Sequence, residues 1–197
     1  MNLQTIIFVG KSGSGKGTQA EKMIEYINAN DDKSVFHLEA GQRFRDFISK
    51  NNTYASELSK GINEEGELQP AFLSVWAWGG ELVCELEKEE HLLIDGTPRR
   101  VIESSMLDDA LEFFKRENIT VVYINIGDDV ATERLKERGR SDDLDVRDIS
   151  KRLEWFSKDV IPVIELYKTR TNVRYIELDG TKDIDSVHKE IVKGLNV

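Results

Sequence analysis

Gly10-Lys-Ser-Gly-Ser-Gly-Lys-Gly-Thr18 lies between an apolar run, Thr5-Ile-Ile-Phe-Val9, and a segment in which Ala20, Met23, Ile24 and Ile27 recur at helical spacing. Strand, glycine-rich loop and helix in that order form the context of a phosphate-binding loop. Gly10, Gly13 and Gly15 allow a tight turn that brings backbone N–H groups close to an anion, with Ser14 between them. Lys16 adds a charge that can reach terminal phosphates, and the first turn of the helix adds unpaired N–H groups and a partial positive charge. Gly17 stands where the common pattern has a hydroxyl residue, and the hydroxyl follows at Thr18.

The chain of 197 residues carries a net charge of −10, three histidines and one cysteine. That length suits one α/β unit with an ample core. The acidic balance argues against nucleic acid and anionic membranes as partners. No run approaches the roughly 18 apolar residues of a membrane helix, and the first strand begins with no basic-then-apolar leader pattern. The lone cysteine, Cys84, is expected to be a small buried residue in a reducing, cytoplasmic setting. Arginines nevertheless cluster at 134, 138, 140, 147 and 152, which suits a small anionic ligand better than a polyanion.

Further along, Val35–Leu38, His91–Asp95, Ile119–Ile126 and Val173–Leu178 read as strands. Helical patterns fall at Thr18–Asn28, Gln42–Lys50, Leu68–Glu90, Ser105–Glu117, Asp128–Arg138, Ile149–Lys168 and from Ile184 onward. In the third of these Phe72, Val75, Trp76, Leu82, Val83 and Leu86 are expected inward, with a bend or split at Gly79-Gly80. Pro162 is expected to kink the sixth. Alternating strands and helices give a P-loop-type α/β fold, a five-stranded parallel sheet with helices on both faces. Ligands of such sheets bind beyond the carboxyl ends of the strands.

That end gathers the chemistry. Asp95 closes an apolar strand, where a carboxylate can hold Mg²⁺ directly or through water; it can equally be a helix cap. Arginines arrive from three regions, 43–45, 99–100 and 134–152. Transfer between two phosphorylated molecules concentrates negative charge at one point, and positioning plus neutralisation then suffices without a covalent nucleophile. Arg134 and Arg138 share a helix face, and the loop carrying Arg140 can close over a nucleotide and exclude water.

In these pieces the chain resembles the adenylate kinase family of nucleoside monophosphate kinases over nearly its full length. GKSGSGKGTQ (10–19) resembles the family's phosphate loop, Gly-Thr after the lysine included. HLEAGQRFR (37–45) is similar to the segment that holds the monophosphate. LLIDGTPR (92–99) resembles LLDGFPR, and 139–143 and 151–153 resemble the GR-x-DD and KRL pieces around the lid. DGTK (179–182) resembles the turn that borders the ATP adenine. The resemblance implies ATP binding by Gly13, Ser14, Gly15, Lys16, Gly17, Thr18, Arg134, Arg138 and Lys182. It implies monophosphate binding by Ala40, Arg45, Gly96, Arg99, Glu103, Arg140 and Arg152, with Arg45 and Arg99 gripping the acceptor phosphate. Catalysis would fall to Lys16, Arg99, Arg138, Arg140 and Arg152, with Asp95 holding Mg²⁺ through water.

The same resemblance implies a core of 1–39, 70–138 and 148–197, a mobile monophosphate segment 40–69, and a short lid 139–147. The lid has no cysteines, so no zinc is expected. Small-molecule nucleotides are the expected partners of a monomer. Thr97 replaces a phenylalanine and Gln42 an aspartate. Ala40 stands where adenylate kinases have threonine, and there UMP/CMP kinases are the better likeness. Glu103 replaces a glutamine that reads adenine; it can accept from an amino or N–H edge, or be an exposed helix residue. AMP is the expected acceptor, with CMP/UMP transfer or a non-catalytic nucleotide sensor as alternatives.

Overall fold

Thr5–Gly10 forms β1 at the centre of a parallel sheet of order β2-β3-β1-β4-β5. In this computed structural model the described residues are 1–139 and 146–195; for 146–148 the description covers the backbone alone. Val35–Glu39 is β2, His91–Asp95 β3, Ile119–Asn125 β4 and Arg174–Asp179 β5. Ile6 and Phe8 of β1 point to one face and Ile7 and Val9 to the other, and all four are buried. That two-sided burial is why the strand reads as an unbroken apolar run.

The first of those faces is covered by α1 (Lys16–Asn30) and α9 (Ile184–Leu195), through Ala20, Met23 and Ile27 and through Val187, Ile191 and Leu195. The other is covered by α4 (Ala71–Glu85), α5 (Val101–Phe113), and a long helical stretch near the C-terminus. Between β2 and α4 lie α2 (Ala40–Lys50) and α3 (Tyr54–Glu64), and after β4 comes α6 (Asp128–Arg138). The chain leaves β1 toward β2 and leaves β3 toward β4, on opposite sides, so the loops after β1 and β3 flank the crevice where such sheets bind ligands.

Several helices differ from the sequence expectation. The helix expected at 68–90 is α4, which starts after Pro70, whose preset φ suits the entry, and runs unbroken through Gly79-Gly80. Its inward face is Leu73, Trp78 and Leu82; Phe72, Trp76 and Val83 are 74%, 57% and 73% exposed. Cys84 is exposed on the same outward side. Apolar residues circle this helix, so its spacing alone cannot select the face, and two glycines cost too little to break a helix anchored by Trp78 and Leu82. Similarly, α5 begins at Val101, one turn earlier than expected, and leaves Met106 largely exposed. At the start of α9, Ile184 is exposed rather than inward.

The long helix expected at 149–168 is instead α7 (Val146–Trp155), a π-helical turn (Phe156–Val160) and α8 (Ile161–Thr169). Pro162 supplies the cause. Its ring crowds the carbonyl of Lys158, four residues back, and it lacks the N–H that would bond there. The chain absorbs this by widening one turn. Phe156, Val160, Val163 and Tyr167 still reach the core, while the preceding turn presents Arg152 and Trp155 to the crevice.

Candidate active site

The loop after β1 is shaped by glycine where no other residue fits well. Gly13 has φ +83°, and a Cβ there would lie 3.0 Å from the Ala131 carbonyl oxygen. Gly15, at φ +94°, is the left-handed entry to α1. No side chain caps this helix end, so its first N–H groups face the crevice. Lys16 folds back over the loop, donating to the carbonyl oxygens of Gly10 (2.9 Å) and Lys11 (2.7 Å). Burial pushes its ammonium down to about 8; Asp95 works in the opposite direction, and Arg99 and Arg138 lower it further. A crowded, desolvated cationic group of this kind is completed by a bound anion.

Opposite the loop, Asp95 ends β3 with one carboxylate oxygen, Oδ1, buried and without a hydrogen-bond partner. A buried orphan acceptor beside Lys16 suits a cation or its water shell. Among the described residues no three His, Cys, Asp or Glu side chains group as a metal site, so a cation here would draw its other ligands from phosphate and water, the usual habit of Mg²⁺. Gly96 then turns at φ +85° and packs against Ala40, Gly41 and the guanidinium of Arg99. Burial lowers the Arg99 guanidinium below its ordinary value, while Glu103 and Asp95 support its charge. Its Cζ also lies over the ring of Trp155, 5.2 Å from the centroid.

These groups line one cleft of about 590 Å³. Gly13, Ser14, Gly15, Lys16, Gly17 and Thr18 form its floor, and Arg134 and Arg138 of α6 stand beside them with Lys182, which pairs with Glu190. Ala40, Arg45, Gly96, Arg99 and Glu103 line the other half, and Arg152 of α7 reaches in between. The resemblance-derived residues thus converge, save Arg140, which lies outside the described residues together with most of 139–147.

Glu103 lines the cleft and is not the exposed helix residue that was one of its two expected roles. It is 1% exposed, and its Oε2 accepts from the Arg99 backbone N–H at 2.8 Å. As the third residue of α5 it reaches back past the N-cap Arg100 to the backbone donor one residue before it, a step beyond the N-cap N–H that a capping-box glutamate takes. Its other oxygen faces Arg100 at 3.5 Å. The carboxylate that replaces the base-reading glutamine is therefore engaged in holding the 96–100 loop.

Arg43 and Arg45 divide cleanly. Arg45 lines the cleft, held by Glu39 at 2.9 Å and by Gln42. Arg43 points away and pairs with the buried carboxylate of Glu81, and more loosely with Glu85 on α4. Phe47 adds an edge-to-face contact with Trp76, so α2 and α4 are tied twice. Burial raises the carboxyl of Glu81, and Arg43 opposes that rise. Arg43→Ala is expected to cost about 1–3 kcal/mol of stability, because Glu81 is left without its cation, with turnover little changed. Arg45→Ala should leave thermal unfolding unchanged and raise KM for the acceptor. Unfolding curves and steady-state kinetics on the two variants check the contrast.

Comparison with known sequences now adds to the geometry. The sequence profile of adenylate kinase matches residues 8–172. The chain belongs to the adenylate kinase family. It is 30% identical to an adenylate kinase of Flavobacterium psychrophilum, over 97% of both chains, and 31% identical to human adenylate kinase isoenzyme 1, over 97% of this chain and 93% of the other. A uridylate kinase of Saccharomyces cerevisiae is likewise 31% identical, over 95% of this chain and 88% of its own. Membership makes the chain a nucleoside monophosphate kinase with the five-stranded parallel sheet of the P-loop fold.

Two features of the site escape sequence reasoning. Trp155 lines the cleft beside Arg99; its position three residues after Arg152, hence on the same face of α7, was the available signal. Residues 65–67 are bridged to α7, with Lys151 donating to the Glu65 carbonyl oxygen at 2.6 Å and Trp155 Nε1 to that of Gly66 at 3.2 Å. No motif announces such long-range pairs.

Proposed function

We propose that this enzyme moves the γ-phosphate of ATP to AMP, giving two ADP, with Mg²⁺ as its cofactor. The observation that carries the reading is the convergence of Lys16, Asp95, Arg99, Arg138 and Arg152 on one cleft between the loops after β1 and β3. An oxygen of the AMP phosphate attacks the γ-phosphorus in line; the bond to the β,γ-bridging oxygen breaks, and that oxygen leaves with ADP. Lys16 and the loop N–H groups hold the donor phosphates, and Gly17 and Thr18 extend that cradle into α1. Arg45 and Arg99 hold the acceptor phosphate. Arg138, Arg140 and Arg152 neutralise the charge that gathers between donor and acceptor. Asp95 would hold Mg²⁺ through water, and the ion would offset phosphate charge.

Arg134 and Lys182 border the adenine of ATP, and Ala40, Gly96 and Glu103 border the acceptor. Residues 40–69 close over the acceptor and 139–147 over ATP, around a core of 1–39, 70–138 and 148–197. The enzyme works as a cytoplasmic monomer on free nucleotides, its net charge of −10 disfavouring nucleic acid and membranes as partners. No helix among the described residues is long and apolar enough to cross a membrane.

A second reading, CMP or UMP as acceptor, is favoured by Ala40, which is buried at the head of α2 with no hydroxyl to offer a base. An ADP-forming assay with ATP and AMP, CMP, UMP or GMP in turn separates the two. AMP is expected to turn over fastest. Faster CMP or UMP turnover moves the assignment to pyrimidines, and tight ATP binding with no product from any acceptor leaves a nucleotide sensor.

A further inference from the structure

We propose that Trp155 is a positioning residue that couples closure of the acceptor side of the cleft to the placement of Arg99. The idea rests on the kinase reading above for its consequences and on two independent contacts for its geometry. The indole N–H of Trp155 donates to the Gly66 carbonyl oxygen at 3.2 Å, tying α7 to the loop between α3 and α4. The face of the same ring lies against the guanidinium of Arg99, 5.2 Å from centroid to Cζ. One rigid side chain thus touches the acceptor-side loop with its edge and a phosphate-binding arginine with its face.

The surroundings make both contacts consequential. Trp155 is the last residue of α7, immediately before the π-turn, so its backbone is anchored by the buried Phe156 and Val160. Lys151, one turn earlier, adds a second tie to the same loop through the Glu65 carbonyl oxygen and, at 3.4 Å, the Glu67 carboxylate. A small cavity of about 30 Å³ has Thr97, Arg99, Trp155 and Val160 among its lining residues, together with Gly10 and Lys16 of the phosphate loop. Thr97 is small and its buried hydroxyl has no hydrogen-bond partner among the described residues, so it offers Arg99 less surface than the indole does. A planar cation stacked on a ring keeps its donors free at the edge of the stack, where a phosphate can take them. When the 65–67 loop lifts, the indole loses its carbonyl partner and its orientation, and Arg99 loses the surface that aims it.

The two contacts are separable by substitution. Trp155→Phe keeps a ring over Arg99 and deletes the N–H donor; Trp155→Ala deletes both. With ATP saturating and AMP varied, Trp155→Phe is expected to raise KM for AMP about three- to tenfold, the worth of one hydrogen bond, with kcat within about twofold of wild type. Trp155→Ala is expected to show that rise and, in addition, a fall in kcat of about tenfold as Arg99 loses its aim. KM for ATP should hold in both. Cleavage by a glutamate-specific protease after Glu65 and Glu67, without nucleotide, should speed up about three- to tenfold in Trp155→Phe, because a latch worth one hydrogen bond is gone.

Unchanged KM for AMP or unchanged cleavage in Trp155→Phe overturns the latch. Equal losses in Trp155→Phe and Trp155→Ala overturn the hold on Arg99, and equal losses toward ATP and AMP reduce Trp155 to a packing residue. A wild-type enzyme that turns over no monophosphate overturns the kinase reading instead, and the cleavage comparison still decides the latch.

Discussion

Lys16→Met is expected to lower kcat by about 10²- to 10³-fold, the loss typical of deleting one preorganised donor from developing charge. The methionine keeps the length of the stem and removes only the ammonium. Lys16 donates to two carbonyl oxygens of its own loop, and those oxygens can turn to water, so thermal unfolding should shift little. A variant that keeps more than a tenth of wild-type kcat would remove Lys16 from the phosphate site. The wild type should also carry a signature in pH. The ammonium, lowered by burial to about 8, is charged below that pH and neutral above it. kcat/KM for ATP, which reports the free enzyme, is therefore expected to fall as pH rises through about 8. Bound ATP is anionic and raises the same group, so the corresponding limb in kcat moves to higher pH. Lys16→Met should lack the limb altogether.

The features legible in the sequence are those whose geometry is local. A strand buried on both faces, followed by glycines, a lysine and a helix, states its own backbone path, and Asp95 after three apolar residues, Leu92 to Ile94, states its place at a strand end. Arg99 and Arg152 are legible for a different reason, since their neighbours spell family motifs.

What was not legible depends on partners far along the chain. The inward face of α4 is chosen by what the sheet offers Leu73, Trp78 and Leu82, and a helix with Phe72, Trp76 and Val83 on its other side gives no period to select it. Glu103 shows how a helix boundary bears on what a carboxylate is free to do. With α5 placed from Ser105, Glu103 stands outside the first turn and is open to base reading or solvent. With α5 placed from Val101, it is the third residue of the helix and its carboxylate has an N–H to satisfy. The pattern of a glutamate three residues after a helix cap carries that information, but Arg100 is a poor cap residue and hides it.

Arg99→Lys tests the acceptor half of the cleft and is expected to reduce kcat/KM for the monophosphate by about 10²-fold while leaving KM for ATP near its wild-type value. The substitution conserves charge, so any loss measures geometry. A guanidinium presents two parallel donors to a phosphate and a flat face to an aromatic ring, whereas an ammonium presents a hydrated point charge. Arg99 holds its guanidinium carbon 5.2 Å over the Trp155 ring centroid and sits beside Gly96, where its Nη2 lies 3.5 Å from the position a Cβ would take. A lysine at this position would satisfy neither neighbour and would be free to turn toward Asp95, withdrawing from the acceptor. Removal of the charge as well, in Arg99→Met, should deepen the loss by a further order of magnitude or so. If lysine performs as well as arginine, the acceptor phosphate is held by net charge alone and the stack on Trp155 has no part in aiming it. If both variants lose activity toward ATP and the monophosphate alike, Arg99 shapes the whole cleft and is not a grip on one substrate.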